Sequence, residues 1–156
     1  MSHPVSQLHS SNPALDRLER LVAEVGDLQS KVVLLAGNGG KTQLLRSLGE
    51  RLQSLPVNVG VKLGQRLAAT PVFERGFSAN ELLRDITVSA RSNAPLLLDN
   101  LEVLFEPSLK INPLDLIKRL AHARSVVAVW PGELRDDRLV YARLGHPEYR
   151  DYTRDG

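Results

Sequence analysis

Apolar residues recur along this chain with two periods, and the alternation between them sets out the expected elements. Leu15, Leu18, Leu21, Val22 and Val25 repeat at helical spacing, the stripe of a helix that buries one face. Asn12 stands where it would cap that helix, Pro13 takes the first helical position, and Gly26 follows the last turn. Val32-Val33-Leu34-Leu35-Ala36 is instead a continuous apolar run with glycines directly after it. Such a run reads as a strand covered on both faces. A second helix is expected from Lys41-Thr42, with Leu44, Leu45, Leu48, Leu52 and Leu55 on one face.

Val57, Val59, Val61 and Leu63 alternate and predict a second strand. Residues 64–78 carry no clear period. Ser78 is placed to cap a helix over Ala79–Ser89, with Glu81 completing a capping box. Pro95-Leu96-Leu97-Leu98-Asp99 predicts a third strand. Leu114, Ile117, Leu120 and Ala121 predict a further helix, and Ser125 to Trp130 a fourth strand that Pro131-Gly132 stops. Leu139-Val140-Tyr141-Ala142 suggests a fifth strand, and Arg143 to Gly156 reads as irregular. No hairpin turn follows any of these strands, so the pattern implies a parallel sheet with crossover helices. Residues 1–12 read as a flexible tail and 13–156 as one domain.

Composition narrows the class without naming a chemistry. The 156 residues are 42% hydrophobic and 24% charged, as in ordinary globular domains. There is no cysteine, so there is no disulfide, thiolate metal site or cysteine nucleophile. The N-terminal residues lack the basic and apolar stretches of a signal peptide, and no apolar run approaches the ~20 residues of a membrane span. The expected location is the cytoplasm, with no membrane partner. A net charge of +2 and a pI near 9.1 come from arginines scattered among acids. That distribution suits a solvated mixed-charge surface and leaves DNA contact open.

The candidate chemistry lies where the first strand meets the second helix. Gly37, Asn38, Gly39, Gly40, Lys41, Thr42 and Gln43 form a glycine-rich turn running into a helix. Backbone N–H groups of such a turn converge on an anion, and the helix N-terminus adds partial positive charge. Lys41 would reach the outer phosphates of a nucleotide and the Thr42 hydroxyl would ligate Mg²⁺. The spacing departs from G-x-x-x-x-G-K-[ST]. Five residues before Gly40 stands Leu35, and the nearest glycine is Gly37, so the loop is about two residues short. The same residues would also serve as a plain Asn-Gly-Gly turn before a helix.

Leu96-Leu97-Leu98-Asp99 adds an apolar strand ending in an acid. In nucleotide-binding proteins of this layout such an aspartate binds Mg²⁺, and a further strand lies between it and the phosphate-loop strand. Asp99-Asn100 is equally a good turn pair. Asn100 follows where many such enzymes carry a glutamate; an amide orients water but takes no proton at neutral pH. Glu102 is the nearby candidate base, with a solvated surface acid as its plain alternative. Trp130 reads as a packing residue. Arg75, Arg135 and Arg143 are the candidates for a charge-stabilising finger. His3, His9, His122 and His146 show no metal spacing.

Together these residues predict an α/β, three-layer P-loop NTPase-like domain, with a mainly parallel sheet of about five strands and helices on both faces. The expected ligands are ATP and Mg²⁺, since no guanine-reading N-K-x-D motif follows the loop.

Leu97-Leu98-Asp99-Asn100-Leu101-Glu102-Val103-Leu104-Phe105-Glu106-Pro107-Ser108-Leu109-Lys110, with Val126 to Gly132, Gly145-His146-Pro147-Glu148-Tyr149 and Val57-Asn58-Val59-Gly60, resembles a known family. It is BrxF, the small P-loop proteins of type III BREX (bacteriophage exclusion) defence systems. The resemblance spans nearly the whole domain. It implies an ATPase-like subunit, with ATP and Mg²⁺ at Lys41, Thr42 and Asp99, acting with other BREX-system proteins, as a homo-oligomer or on DNA. A degenerate P-loop scaffold and a DNA-binding accessory subunit are the alternatives.

Overall fold

Alternate residues of the central strands enter two different cores. The computed structural model describes residues 13–25, 31–36, 40–88, 94–122, 124–135, 138–141 and 150–153. Helix α1 (Pro13–Val25) leads to strand β1 (Val32–Leu35), helix α2 (Lys41–Leu52), the short strand β2 (Val57–Asn58) and helix α3 (Val59–Ala68). A 3₁₀ turn at Val72–Glu74 runs into α4 (Arg75–Val88), and β3 (Leu96–Asp99) follows. Two more 3₁₀ turns, Leu101–Phe105 and Pro107–Leu109, precede α5 (Pro113–Leu120) and β4 (Val126–Val129). All four strands pair in parallel in the order β1-β4-β3-β2.

Because strand side chains alternate between faces, Leu97, Val127 and Val129 pack with Leu15, Leu18 and Val22 of α1 and Leu45 and Leu48 of α2. Leu96, Leu98, Val126 and Ala128 turn the other way, onto α3, α4, α5 and the two 3₁₀ turns after β3. The sheet therefore has helices on both faces. The continuous apolar runs at 96–98 and 126–129 follow directly, since a strand covered on both sides has no polar face. On the first face, Arg51 of α2 binds Asp16 at 2.8 Å and Glu19 at 2.9 Å, tying α1 to α2. The hydrogen bond to Asp16, then that to Glu19, raises the Arg51 pKa above its ordinary value.

Several sequence expectations give way. The parallel sheet has four strands, not five. The fifth predicted strand exists as β6 (Arg138–Tyr141), but it pairs antiparallel with β5 (Glu133–Arg135) and β7 (Arg150–Thr153) in a separate three-stranded sheet. So hairpin-type pairing does occur, and part of the C-terminal stretch read as irregular is strand.

The alternation over 57–63 is a strand for Val57 and Asn58 only. Val59, Leu63 and Leu67 are buried at helical spacing while Val61 is 52% exposed. Asn58 caps the helix by accepting from the Val61 N–H at 3.0 Å, and that cap outweighs a short alternation equally compatible with either period. Ser78 lies inside α4 and caps nothing, because helical geometry already starts after Pro71, whose φ is −55°. Leu55 lies beyond the end of α2 and is 87% exposed. The expected tail 1–12, the Asn12 cap and Gly26 lie outside the described residues. No helix among the described residues is long and apolar enough to cross a membrane.

Candidate functional site

Parallel strands bring their C-terminal ends to one edge of the sheet, and there several of the sequence candidates meet. The residue after β1 leads toward Gly40, and Gly40 opens α2 with φ 73°. A Cβ on Gly40 would meet nothing within 4 Å, so glycine is needed there for its backbone conformation and not for space. Among the described residues no side chain caps the N-terminus of α2, and its first turn holds no acid. The positive end of that helix is thus neutralised by no residue of its own first turn.

Lys41 and Thr42 leave this turn in different directions. The Lys41 ammonium donates to the carbonyl oxygen of Trp130 at 2.7 Å and to that of Gly132 at 3.5 Å. Both carbonyls lie just past β4, the strand between β1 and β3, so the lysine lies across the end of the central strand. The Thr42 hydroxyl donates to Asp99 Oδ1 at 3.3 Å. A hydroxyl and a carboxylate from residues separated by 57 positions thus come together as two hard oxygen donors, the kind of set that suits Mg²⁺. Gln43 is exposed on the same turn.

The Asp99 side continues into a polar network. Asp99 Oδ1 also accepts from the Asn100 backbone N–H at 2.8 Å. Asn100 has left-handed backbone, φ 56° and ψ 57°, which asparagine tolerates better than most residues. Its Nδ2 donates to Asn58 Oδ1 at 3.0 Å. Gly60, in the first turn of α3, lets Asn100 approach; a Cβ there would sit 3.2 Å from both Asn100 Cβ and its carbonyl oxygen.

The structure brings Gly40, Lys41, Thr42, Asp99 and Asn100 to one sheet edge. Gly37, Asn38 and Gly39 lie outside the described residues. Glu102 is exposed on the first 3₁₀ turn after β3 and makes no hydrogen bond to Thr42 or Asp99. Arg75 donates from Nε to Thr70 O at 2.9 Å, which ties it to the turn between α3 and α4. The Arg135 side chain and Arg143 lie outside the described residues. Among the described residues no cluster of histidine or acidic side chains could hold a metal by itself.

Two contributors escaped the sequence candidates. Asn58 joins β3 to α3 through one carbonyl oxygen; its signal was an asparagine followed by the stripe Val59, Leu63 and Leu67. Trp130 is fully buried, edge-on to Phe105 at a centroid distance of 5.3 Å, as its packing role predicted. Its backbone carbonyl, which receives Lys41, carries no side-chain signature at all. Compared with protein-family models, curated proteins and solved structures, the chain matches none.

Proposed function

We propose that this chain is a P-loop-type, nucleotide-binding ATPase-like protein that takes ATP with Mg²⁺ at the edge where α2 begins. The observation that carries this is the 3.3 Å contact of Thr42 Oγ1 with Asp99 Oδ1, made beside a lysine in the first turn of α2. That arrangement joins a cation for phosphate, a hard-oxygen pair for the metal and a helix dipole aimed at negative charge. The strand order supports it too, with β4 between the strand before the loop and the strand ending in Asp99. In this reading Asn100 orients water, and Glu102 is an exposed acid at one remove. Given its likeness to BrxF, we place the protein in the cytoplasm as a subunit of an anti-phage system, its nucleotide state controlling assembly with partner proteins or DNA.

Calorimetry with ATP and Mg²⁺ on the wild type and Lys41→Ala tests the site. Wild type is expected to bind and Lys41→Ala to lose most of the affinity. The chain has a single tryptophan, and Lys41 binds its carbonyl, so Trp130 fluorescence reports the same event. ATP at 100 times its Kd raises stability by about 2.7 kcal/mol. A folded wild type that binds no ATP at millimolar concentration refutes the proposal and leaves a scaffold that keeps only the shape of such a site.

A further inference from the structure

Asn58 accepts two hydrogen bonds through one oxygen, and that fixes the direction of a second amide. The Val61 backbone N–H donates to Asn58 Oδ1 at 3.0 Å. Since only an oxygen can accept there, the Asn58 amide has one allowed orientation. Asn100 reaches the same oxygen at 3.0 Å, so Asn100 must present its nitrogen to Asn58. Its own Oδ1 is then the end directed away from Asn58. The close approach of Gly60 to Asn100 and the left-handed backbone of Asn100 hold the pair in register.

We infer that Asn58 is a positioning residue that makes Asn100 a hydrogen-bond acceptor at the candidate site. The inference rests on the nucleotide reading above. An acceptor next to Asp99 is what a water needs if it is to be held with a lone pair turned toward a terminal phosphate. In hydrolysis the water oxygen bonds to the γ-phosphorus as the bond to the β,γ-bridging oxygen breaks, giving ADP and phosphate. A neutral amide takes no proton, so the proton of the water passes to a phosphate oxygen. Were Asn100 reversed, it would offer two N–H donors and turn the lone pairs of the water toward itself.

Two substitutions separate this role from simple helix capping. Asn58→Ser keeps an oxygen able to cap α3 but is too short to reach Asn100. Asn58→Asp keeps an acceptor for both bonds. The readout is hydrogen exchange of the Asn100 side-chain amide by NMR, its signal identified by loss in Asn100→Asp. Exchange in Asn58→Ser is expected to be about fivefold faster than in wild type, the factor given by a hydrogen bond of about 1 kcal/mol. The Val61 amide stays protected, and Asn58→Asp exchanges like wild type. Equal Asn100 exchange in all three proteins overturns the inference.

With ATP and Mg²⁺, Asn58→Ser is expected to lower kcat about tenfold at unchanged KM, as misoriented reactants do, and Asn58→Asp to recover most of it. Turnover equal in wild type and Asn58→Ser, zero in both included, overturns the water-orienting role. Failure of wild type to bind ATP in the calorimeter is a separate result and refutes the nucleotide reading itself.

Discussion

The lysine half of the candidate site and its aspartate half are held by different means. Lys41 stands on a helix turn reached through a glycine at φ 73°, and its long side chain crosses to the main-chain carbonyls of Trp130 and Gly132. Asp99 and Asn100 close a strand buried along its apolar run, and short side chains wire them to the backbone and to Asn58. A lysine with several rotatable bonds exchanges one oxygen partner for another with little rearrangement. An asparagine held in left-handed backbone, with its amide bonded to a helix cap, does not. The lysine half is therefore adjustable, and the aspartate half is fixed.

Trp130 is the point where the halves join, since its ring packs on Phe105 beyond Asp99 and its carbonyl receives Lys41. Trp130→Ala should have the largest effect, a loss of about 3–5 kcal/mol of stability measured by urea unfolding. A loss below about 1 kcal/mol would show that the ring does not anchor both halves.

Gly40→Ala strains the lysine half alone. There is room for the methyl group, so the cost is that of positive φ, about 1–2 kcal/mol, with weaker ATP binding at an unchanged urea m-value. If Gly40→Ala is neutral, the left-handed turn is not required and the comparison loses its lysine side.

Asn58→Ala strains the aspartate half. Loss of the α3 cap should cost about 1 kcal/mol, seen as a lower urea midpoint, with ATP affinity close to wild type. A strong fall in affinity would instead mean that the Asn58 network also shapes the phosphate half.

Much of the fold was legible because its signals are local. The run Val32–Leu35 and the run Leu96–Leu98 announce strands with no exposed face, and Leu15, Leu18 and Val22 announce the helix that covers them. Of the candidate site, Lys41, Thr42 and Asp99 stood out for the same reason, each marked by what flanks it. Val57–Leu63 was not legible. Over so few residues an alternating and a helical pattern share positions, and the Asn58 cap with the burial of Val59, Leu63 and Leu67 decided between them. Of the hairpin strands, β6 was announced by Leu139-Val140-Tyr141, whereas β5 and β7 were missed because each holds a single apolar or aromatic residue, Leu134 or Tyr152, and so shows no period.

By itself, the sequence determined the α/β class, the apolar runs of the inner strands, and the placing of a glycine, a lysine and a threonine before one helix and an aspartate after one strand. These follow from propensity and period, which act over a few residues. Only the tertiary structure decided that β4 lies between β1 and β3, that Lys41 meets a carbonyl 89 residues away, and that Asn58 grips Asn100. Such contacts depend on which buried faces pack together across the whole sheet, and backbone carbonyls, identical in every residue, leave no trace of their partners in the sequence.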